Sequence, residues 1–288
     1  MFSRIKAILK LTRIEHSIML IIAVLASELI SSRTLPSYFI LILSFITPIF
    51  ISMGSFAIND YFDIEVDRLN KKTTRPLVNG SISLKSAFYI AIASFIIGVF
   101  ASLFISSGAF AIALVFAILA FLYSYKLKEM FLIGNMYIGL SMMIPFIYGS
   151  YVASYTISYP IIIISITVFV SGLAREIHGT IRDYRGDRKR GVKSLPKYIG
   201  VYYSAIISAL LHLIAIILSI YLFFIKGAFY NNIFYIISIG IIDIMLIYVS
   251  IIYLRKKLRT QKLFNKSRNL SLAAMGIALL IYLLVSVI

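Results

Sequence analysis

The sequence predicts an all-α, polytopic membrane bundle of about nine transmembrane helices, forming one domain over residues 1–288. Three observations predict it. Hydrophobic residues make up 61% of the chain and charged residues only 14%, more apolar surface than a soluble domain of this size can bury. That apolar content is gathered into runs of about 20 residues, the length a helix needs to cross a hydrocarbon core about 30 Å thick. Basic residues, finally, are concentrated at alternate connections between those runs, which is the signature of a fixed topology.

Taken in order, residues 1–13 read as a short amphipathic helix on the membrane surface, with Phe2, Ile5 and Leu9 turned inward. The spans follow at roughly 16–33, 37–58, 84–106, 108–125, 131–152, 159–177, 201–225, 230–254 and 270–288. The small-residue stretch AVLA at 23–26 resembles a signal-peptide cleavage site. Cleavage there would leave an even number of spans and remove the polar segment from Arg13 to His16, so the first run is read as a true span. The N-terminal segment, the connections after the second, fourth, sixth and eighth spans, and the adjoining helix ends carry 26 of the 28 basic residues. Only Arg33 and Lys226 fall on the other side. This asymmetry predicts a cytoplasmic N-terminus, an external C-terminus and a multi-pass protein of the cell membrane. The net charge of +17 is thus a topology signal, with contact to anionic lipid as its second use, and not the footprint of a nucleic-acid partner. The chain contains no cysteine, which excludes disulfides and thiolate metal sites.

Seven of the eleven acidic residues fall in two places, within cytoplasmic loops at about 59–83 and 176–200. Asp60, Asp63, Glu65 and Asp67 follow the second span; Glu176, Asp183 and Asp187 follow the sixth. The offset from Asp63 to Asp183 and from Asp67 to Asp187 is 120 residues, suggesting a weak internal repeat of four helices with one acidic site each. On a helix that continues through the first motif, Asn59, Asp63, Asp67 and Asp60 share an arc of about 100°, with Glu65 on the far side as a solvated charge. Glu176, Thr180, Asp183 and Asp187 share a narrower arc of about 60° in the second, while His178 lies off it. Carboxylates stacked four residues apart repel one another on a bare helix. A divalent cation converts that repulsion into a site, and hard oxygen ligands of this kind suit Mg²⁺. The competing reading is solvated helix ends paired with nearby Lys and Arg. Two motifs with matched spacing, side and offset favour the metal, with both clusters facing one mouth.

Basic residues crowd the same places: Arg68, Lys71, Lys72 and Arg75 at the first motif, and Arg182, Arg185, Arg188, Lys189 and Arg190 at the second. Cations beside metal-binding carboxylates make sense for a ligand that is itself strongly anionic, such as a diphosphate. Beneath lies an apolar bundle rich in Phe and Tyr. The implied substrate is an amphiphile with a polyanionic head and a long apolar tail.

At these residues the chain resembles the UbiA superfamily of intramembrane prenyltransferases. NDYFDIEVD at 59–67 is similar to that family's first motif, and DYRGD at 183–187 to the core of its second. RPLVNG at 75–80, LYSYKLK at 122–128, GN at 134–135 and GDRKRGVKSLPKYIG at 186–200 add to the resemblance, which covers nearly the whole chain. Within the superfamily the REI and GDRKRG segments look most like the archaeal ether-lipid branch. The resemblance implies transfer of geranylgeranyl from its diphosphate to the hydroxyl of geranylgeranylglyceryl phosphate, with Mg²⁺. It implies Asn59, Asp63, Asp67, Asp183 and Asp187 as metal ligands, with Asp60 as a helper. Lys128, Arg68, Arg75 and Arg182 are expected near the diphosphate, together with Asn135 of the GN pair. Tyr123 reads either as a contact to the reacting head or as an ordinary interface tyrosine, and Lys126 competes with Lys128. Arg13 is a candidate for an acceptor phosphate or a topology charge; His16 is a structural polar contact or an acceptor of the hydroxyl proton. Two departures stand out: Thr180 takes the place of an earlier carboxylate in the second motif, and RIEH replaces R-P-x-N in the first span.

Three ionisable residues within the spans receive structural readings: His212 as a satisfied core histidine, Asp243 as a hydrogen-bonded structural acid, and Glu28 as a side chain reaching water at the external end. An alternative enzyme keeps the fold and uses an aromatic acceptor of quinone, haem or chlorophyll type. A CDP-alcohol phosphotransferase requires D-G-x-x-A-R, which this sequence lacks. A cation transporter would carry its acids mid-membrane on broken helices, whereas ten of the eleven acids here avoid the spans' centres.

Overall fold

The computed structural model describes residues 2–189 and 193–287, with the backbone alone for Phe2, Ser3, Arg185, Asp187, Arg188 and Lys189. Among the described residues eleven α-helices run in order: α1 (Phe2–Thr12), α2 (Ser17–Ser32), α3 (Tyr38–Phe62), α4 (Ile64–Leu69), α5 (Leu84–Leu103), α6 (Ser107–Tyr125), α7 (Ile133–Ser154), α8 (Tyr159–Lys189), α9 (Leu195–Tyr221), α10 (Ile233–Leu254) and α11 (Gln261–Val287). Nine stretches among the described residues are long and apolar enough to cross a membrane, and they contain every helix except α1 and α4. The protein is a multi-pass membrane protein. Helices are the expected solution because a chain in hydrocarbon must satisfy its own backbone hydrogen bonds. The ends of α3 and α8 and the starts of α2 and α11 lie together, and this end, carrying both acidic motifs, is called the basic end below.

Close packing follows from small residues spaced along one face. In α5 the buried positions are Ala87, Ala91, Ser94, Phe95, Gly98, Ala101 and Ser102; in α6 they are Ala109, Ala113, Ala117, Ala120 and Ser124. Without a hydrophobic force between helices in lipid, such stripes let backbones approach and gain dispersion contacts. At Gly98 a Cβ would stand 2.9 Å from the Thr47 carbonyl oxygen, so α5 meets the α3 backbone where any side chain would intrude. The motif helix α3 packs along α5, and the motif helix α8 packs along α9, the most extensive contacts in the bundle. Each motif helix thus pairs with its successor, as the 120-residue offset suggests.

Polar pairs join the second half. Ser208 Oγ lies 2.6 Å from His178 Nε2, joining α9 to α8, and His212 Nδ1 lies 2.9 Å from Ser250 Oγ, joining α9 to α10. The His178 ring stacks on Tyr253 at 3.8 Å. Asp243 accepts from Ser219 Oγ at 3.1 and 3.2 Å, a hydrogen-bonded acid as read from sequence. His212 Nε2, by contrast, is buried without a partner among the described residues, so that histidine is only half satisfied.

Several expectations are corrected. Glu28 does not reach water: it is completely buried, and neither carboxyl oxygen has a hydrogen bond among the described residues. In α1, Ala7 and Leu11 pack on the protein as the helix docks on α3, while Ile5 and Leu9 are exposed on the opposite side, where a membrane surface can meet them. The Phe2 side chain lies outside the described residues. The sixth and ninth spans belong to longer helices than their apolar windows, with α8 running to Lys189 and α11 beginning at Gln261. Polar turns beyond the hydrocarbon are invisible to hydropathy. The seventh span also begins earlier, with α9 starting at Leu195 and kinked at Gly200 (φ 80, ψ 162), a conformation that glycine adopts without steric cost.

Candidate active site at the basic end of the bundle

α3 stops at Phe62, and Asp63, at φ −87 and ψ 0, joins it to the short α4. The first motif is therefore not one uninterrupted helix. The joint still keeps helix-like bonds, from Asp63 N–H to the Asn59 carbonyl at 3.0 Å and from Asp67 N–H to the Asp63 carbonyl at 2.8 Å. The side chains on the expected arc make two sets of contacts. Asn59 Nδ2 donates to Asp63 Oδ2 at 3.2 Å, and Lys128 Nζ donates to the other oxygen of Asp63. Asp60 and Asp67 form the second set, each only 2% exposed and bridged by one guanidinium: Arg75 Nη1 meets Asp60 at 2.9 Å and also donates to Asp67. Arg13 adds a 2.9 Å contact to Asp60, and Lys72 one of 2.9 Å to Asp67. Buried carboxylates at this depth require such partners, since an unpaired ion there costs several kcal/mol.

Local sequence explains how the basic partners arrive. RPLVNG closes a series of tight turns after α4, with Asn79 N–H bonded to the Arg75 carbonyl at 3.1 Å and Gly80 at φ 77, which returns Arg75 to the acids. Lys128 sits on a 3₁₀ turn, Leu127–Glu129, and at Gly134 a Cβ would stand 3.0 Å from the Lys128 carbonyl oxygen. The glycine of the GN pair thus gives the turn room to lie against the first residues of α7. Arg13 adopts a left-handed conformation, φ 47 and ψ 49, between α1 and the 3₁₀ turn Ile14–His16. Its guanidinium also lies 4.7 Å from the centre of the Phe56 ring, whose edge meets His16 at 5.2 Å. A left-handed arginine held by a carboxylate and a ring is local strain of the kind that collects at functional sites.

The other expected residues divide clearly. Lys128, and not Lys126, contacts the motif; Lys126 is exposed. Arg68 and Glu65 are exposed, and Asn135 is half-buried in the first turn of α7. Arg182 grips Asp183 with two bonds, at 2.8 and 2.7 Å. The Asp187 side chain, like those of Arg185, Arg188 and Lys189, lies outside the described residues. So do Arg190 and its two successors entirely.

Beneath the motifs opens a cavity of about 1000 Å³. Arg13, His16, Asn59, Arg175 and Glu176 form its polar rim. It follows α3 from Asn59 down to Thr47, twelve residues, or about 18 Å of helix. Tyr123, Tyr137 and Phe116 make a stacked ladder along its wall, with ring centres 4.2 and 6.0 Å apart. Pro48 and Pro145 line it from α3 and α7, and its deeper walls are mainly aliphatic. The two motifs meet this cavity through Asn59 and Glu176, not through Asp63 and Asp183 as expected. Asp63 is turned to Lys128, and Asp183 to Arg182 and a smaller adjoining pocket. Tyr137, Arg175 and Glu176 contribute more than sequence reasoning assigned to them; only the Glu176 position on the acidic arc hinted at it.

No three His, Cys, Asp or Glu residues among the described residues cluster closely enough to cage a metal alone. Mg²⁺ usually takes one or two carboxylates and completes its shell with water and substrate phosphate. Asn59 lies at the rim, and Asp63 and Asp67 offer further hard oxygens beside it, Asp63 paired with Lys128 and Asp67 with Arg75 and Lys72. The arrangement can therefore accept a metal-bound polyanion above an apolar chamber.

Residues 20–284 match the UbiA prenyltransferase family. Digeranylgeranylglyceryl phosphate synthase of Archaeoglobus fulgidus is 36% identical over 279 residues, 96% of this chain and 93% of the relative. The Sulfurisphaera tokodaii enzyme of the same name is 34% identical, over 85% and 87%. A solved structure described as a digeranylgeranylglyceryl phosphate synthase in membranes superposes with a TM-score of 0.83 at 32% identity, covering 99% of each chain. A UbiA homologue from Archaeoglobus fulgidus, solved with GPP and Mg²⁺, shares the fold, with a TM-score of 0.67 at 20% identity over 96% and 99%.

Proposed function

The chain belongs to the UbiA prenyltransferase family, and from that premise we propose that it carries geranylgeranyl from its diphosphate to the free hydroxyl of geranylgeranylglyceryl phosphate, with Mg²⁺. The product would be the second ether bond of an archaeal membrane lipid. Relatives of that name, matched along nearly the full chain, support the reaction. The observation that carries it is the continuity of a charged rim of paired acids and bases with an apolar cavity of about 1000 Å³. We assign the basic end to the cytoplasmic face of the cell membrane, because 26 of 28 basic residues belong to it.

Asn59, Asp63 and Asp67 would hold Mg²⁺ at the first motif and Asp183 and Asp187 at the second; when bound, the ion offsets the charge that gathers on the departing diphosphate. Lys128 and Arg75 exchange their carboxylate partners for diphosphate oxygens, with exposed Arg68 meeting the headgroup from outside. The allylic carbon–oxygen bond breaks with its electron pair leaving on the diphosphate. Tyr123, stacked on Tyr137, offers its ring to the resulting cation. The apolar walls exclude water, so the acceptor oxygen forms the new bond and releases its proton.

Purified protein supplied with labelled geranylgeranyl diphosphate and Mg²⁺ tests the reaction, with geranylgeranylglyceryl phosphate offered beside 4-hydroxybenzoate. Label is expected in the lipid phosphate product. Label in the aromatic product alone would overturn this assignment in favour of an aromatic acceptor.

A further inference from the structure

Beside the large cavity lies a smaller pocket of about 260 Å³ between the end of α8, Tyr253 of α10 and the start of α11. Three guanidinium-bearing residues line it: Arg175 and Arg182 from α8 and Arg268 from α11. Glu176 and Asp183 stand on the α8 wall, so the pocket borders the second-motif carboxylate assigned to Mg²⁺ above; Ser267 and Ser271 line the α11 side, their hydroxyls donating to the Leu263 and Arg268 carbonyls. We propose that this pocket holds the phosphate monoester of the lipid acceptor, an assignment that rests on the acceptor class proposed above.

The charges are not used up internally. Asp183 takes the Nε and Nη2 groups of Arg182. Arg175 meets Glu176 only at 3.7 Å, and its Nε is buried with no hydrogen-bond partner among the described residues. Arg268 makes no ion pair with any described residue and is exposed. An unpartnered buried donor and a free guanidinium around one polar recess are what a phosphate dianion satisfies, with charge-assisted bonds stronger than neutral ones. Arg13, the competing candidate, is already held by Asp60 and Phe56.

Space and connectivity point the same way. The recess is small and lined almost wholly by polar residues, which suits a headgroup and not a polyisoprenoid tail, and at Gly179 a Cβ would meet nothing closer than Arg182 Nη2 at 4.0 Å. Arg175 and Glu176 line both spaces and so form the passage between them. In the acceptor, the reactive hydroxyl lies on the glycerol carbon next to the one bearing the phosphate. A phosphate in the small pocket therefore brings that hydroxyl to the Arg175–Glu176 passage and lets the tail enter the large cavity, whose rim also receives the donor. The pocket lies at the basic end, the level at which a lipid headgroup meets water.

The test compares geranylgeranylglyceryl phosphate with geranylgeranylglycerol, the same acceptor without phosphate, in wild type, Arg268→Glu and Ser267→Asp. Wild type should favour the phosphorylated acceptor, and either variant should raise the KM for it about tenfold or more. The KM for geranylgeranyl diphosphate should stay within about twofold, and turnover of the unphosphorylated alcohol should change little, a pattern that a merely misfolded variant does not produce. Arg268→Lys should recover part of the loss. Unchanged KM for the phosphorylated acceptor in folded, donor-binding variants would overturn the pocket while leaving the reaction intact. A wild-type protein that ignores this acceptor would instead remove the functional reading beneath it.

Discussion

Arg75 reaches Asp60 and Asp67 at once, so its removal exposes two buried carboxylates to one another. Arg75→Ala should cost about 2 kcal/mol, since two buried carboxylates each lose one charged partner while Arg13 and Lys72 remain. Thermal unfolding in detergent should show a markedly lower midpoint, with Arg75→Lys less damaging. Lys128 gives a cleaner catalytic contrast. Lys128→Ala should raise the KM for geranylgeranyl diphosphate about tenfold, whereas Lys126→Ala should leave it near wild type, because only Lys128 contacts Asp63. Steady-state kinetics with varied donor checks both. Residue identities at the first motif were legible in the sequence because their spacing is helical. Their partners were not: Arg75, Lys72 and Lys128 arrive through turns and a 3₁₀ segment, where no periodicity predicts which side chain faces inward. The bend at Asp63 was hidden for the same reason.

Helix packing was more readable. The stripes Ala87, Ala91, Ser94, Gly98 in α5 and Ala109, Ala113, Ala117, Ala120 in α6 announce close contacts directly. Gly98→Leu should destabilise the protein by about 2 kcal/mol, because the new side chain meets the Thr47 carbonyl of α3, a backbone group that cannot turn away. A midpoint unchanged from wild type in detergent would contradict that contact. Helix ends were less readable. Hydropathy placed the last span at residue 270, while α11 starts at Gln261 and carries Lys262, Lys266 and Arg268 on helical turns beyond the apolar run. That polar extension brings Arg268 against α8, so the small pocket could not be seen from apolar windows alone.

The assembled molecule joins two sequence signals that are far apart: apolar runs that become spans and acidic motifs that become one end of a bundle. Their common side follows from span parity, which the sequence carries; their common cavity follows from helix packing, which it does not. Because the chain has no cysteine, single substitutions report topology without background. Asn70→Cys and Lys226→Cys should react with an impermeant maleimide from opposite faces, the first from the cytoplasmic side, and labelling of both from one face would contradict the assigned orientation. The most direct test of joint action by the two motifs is a double-mutant cycle on kcat/KM for geranylgeranyl diphosphate, with Asp63→Ala and Asp183→Ala singly and together. If both motifs grip one headgroup, each single variant should lose about 100-fold or more and the double variant scarcely more than the worse single. Single variants near wild type, or losses that simply multiply, would contradict the account.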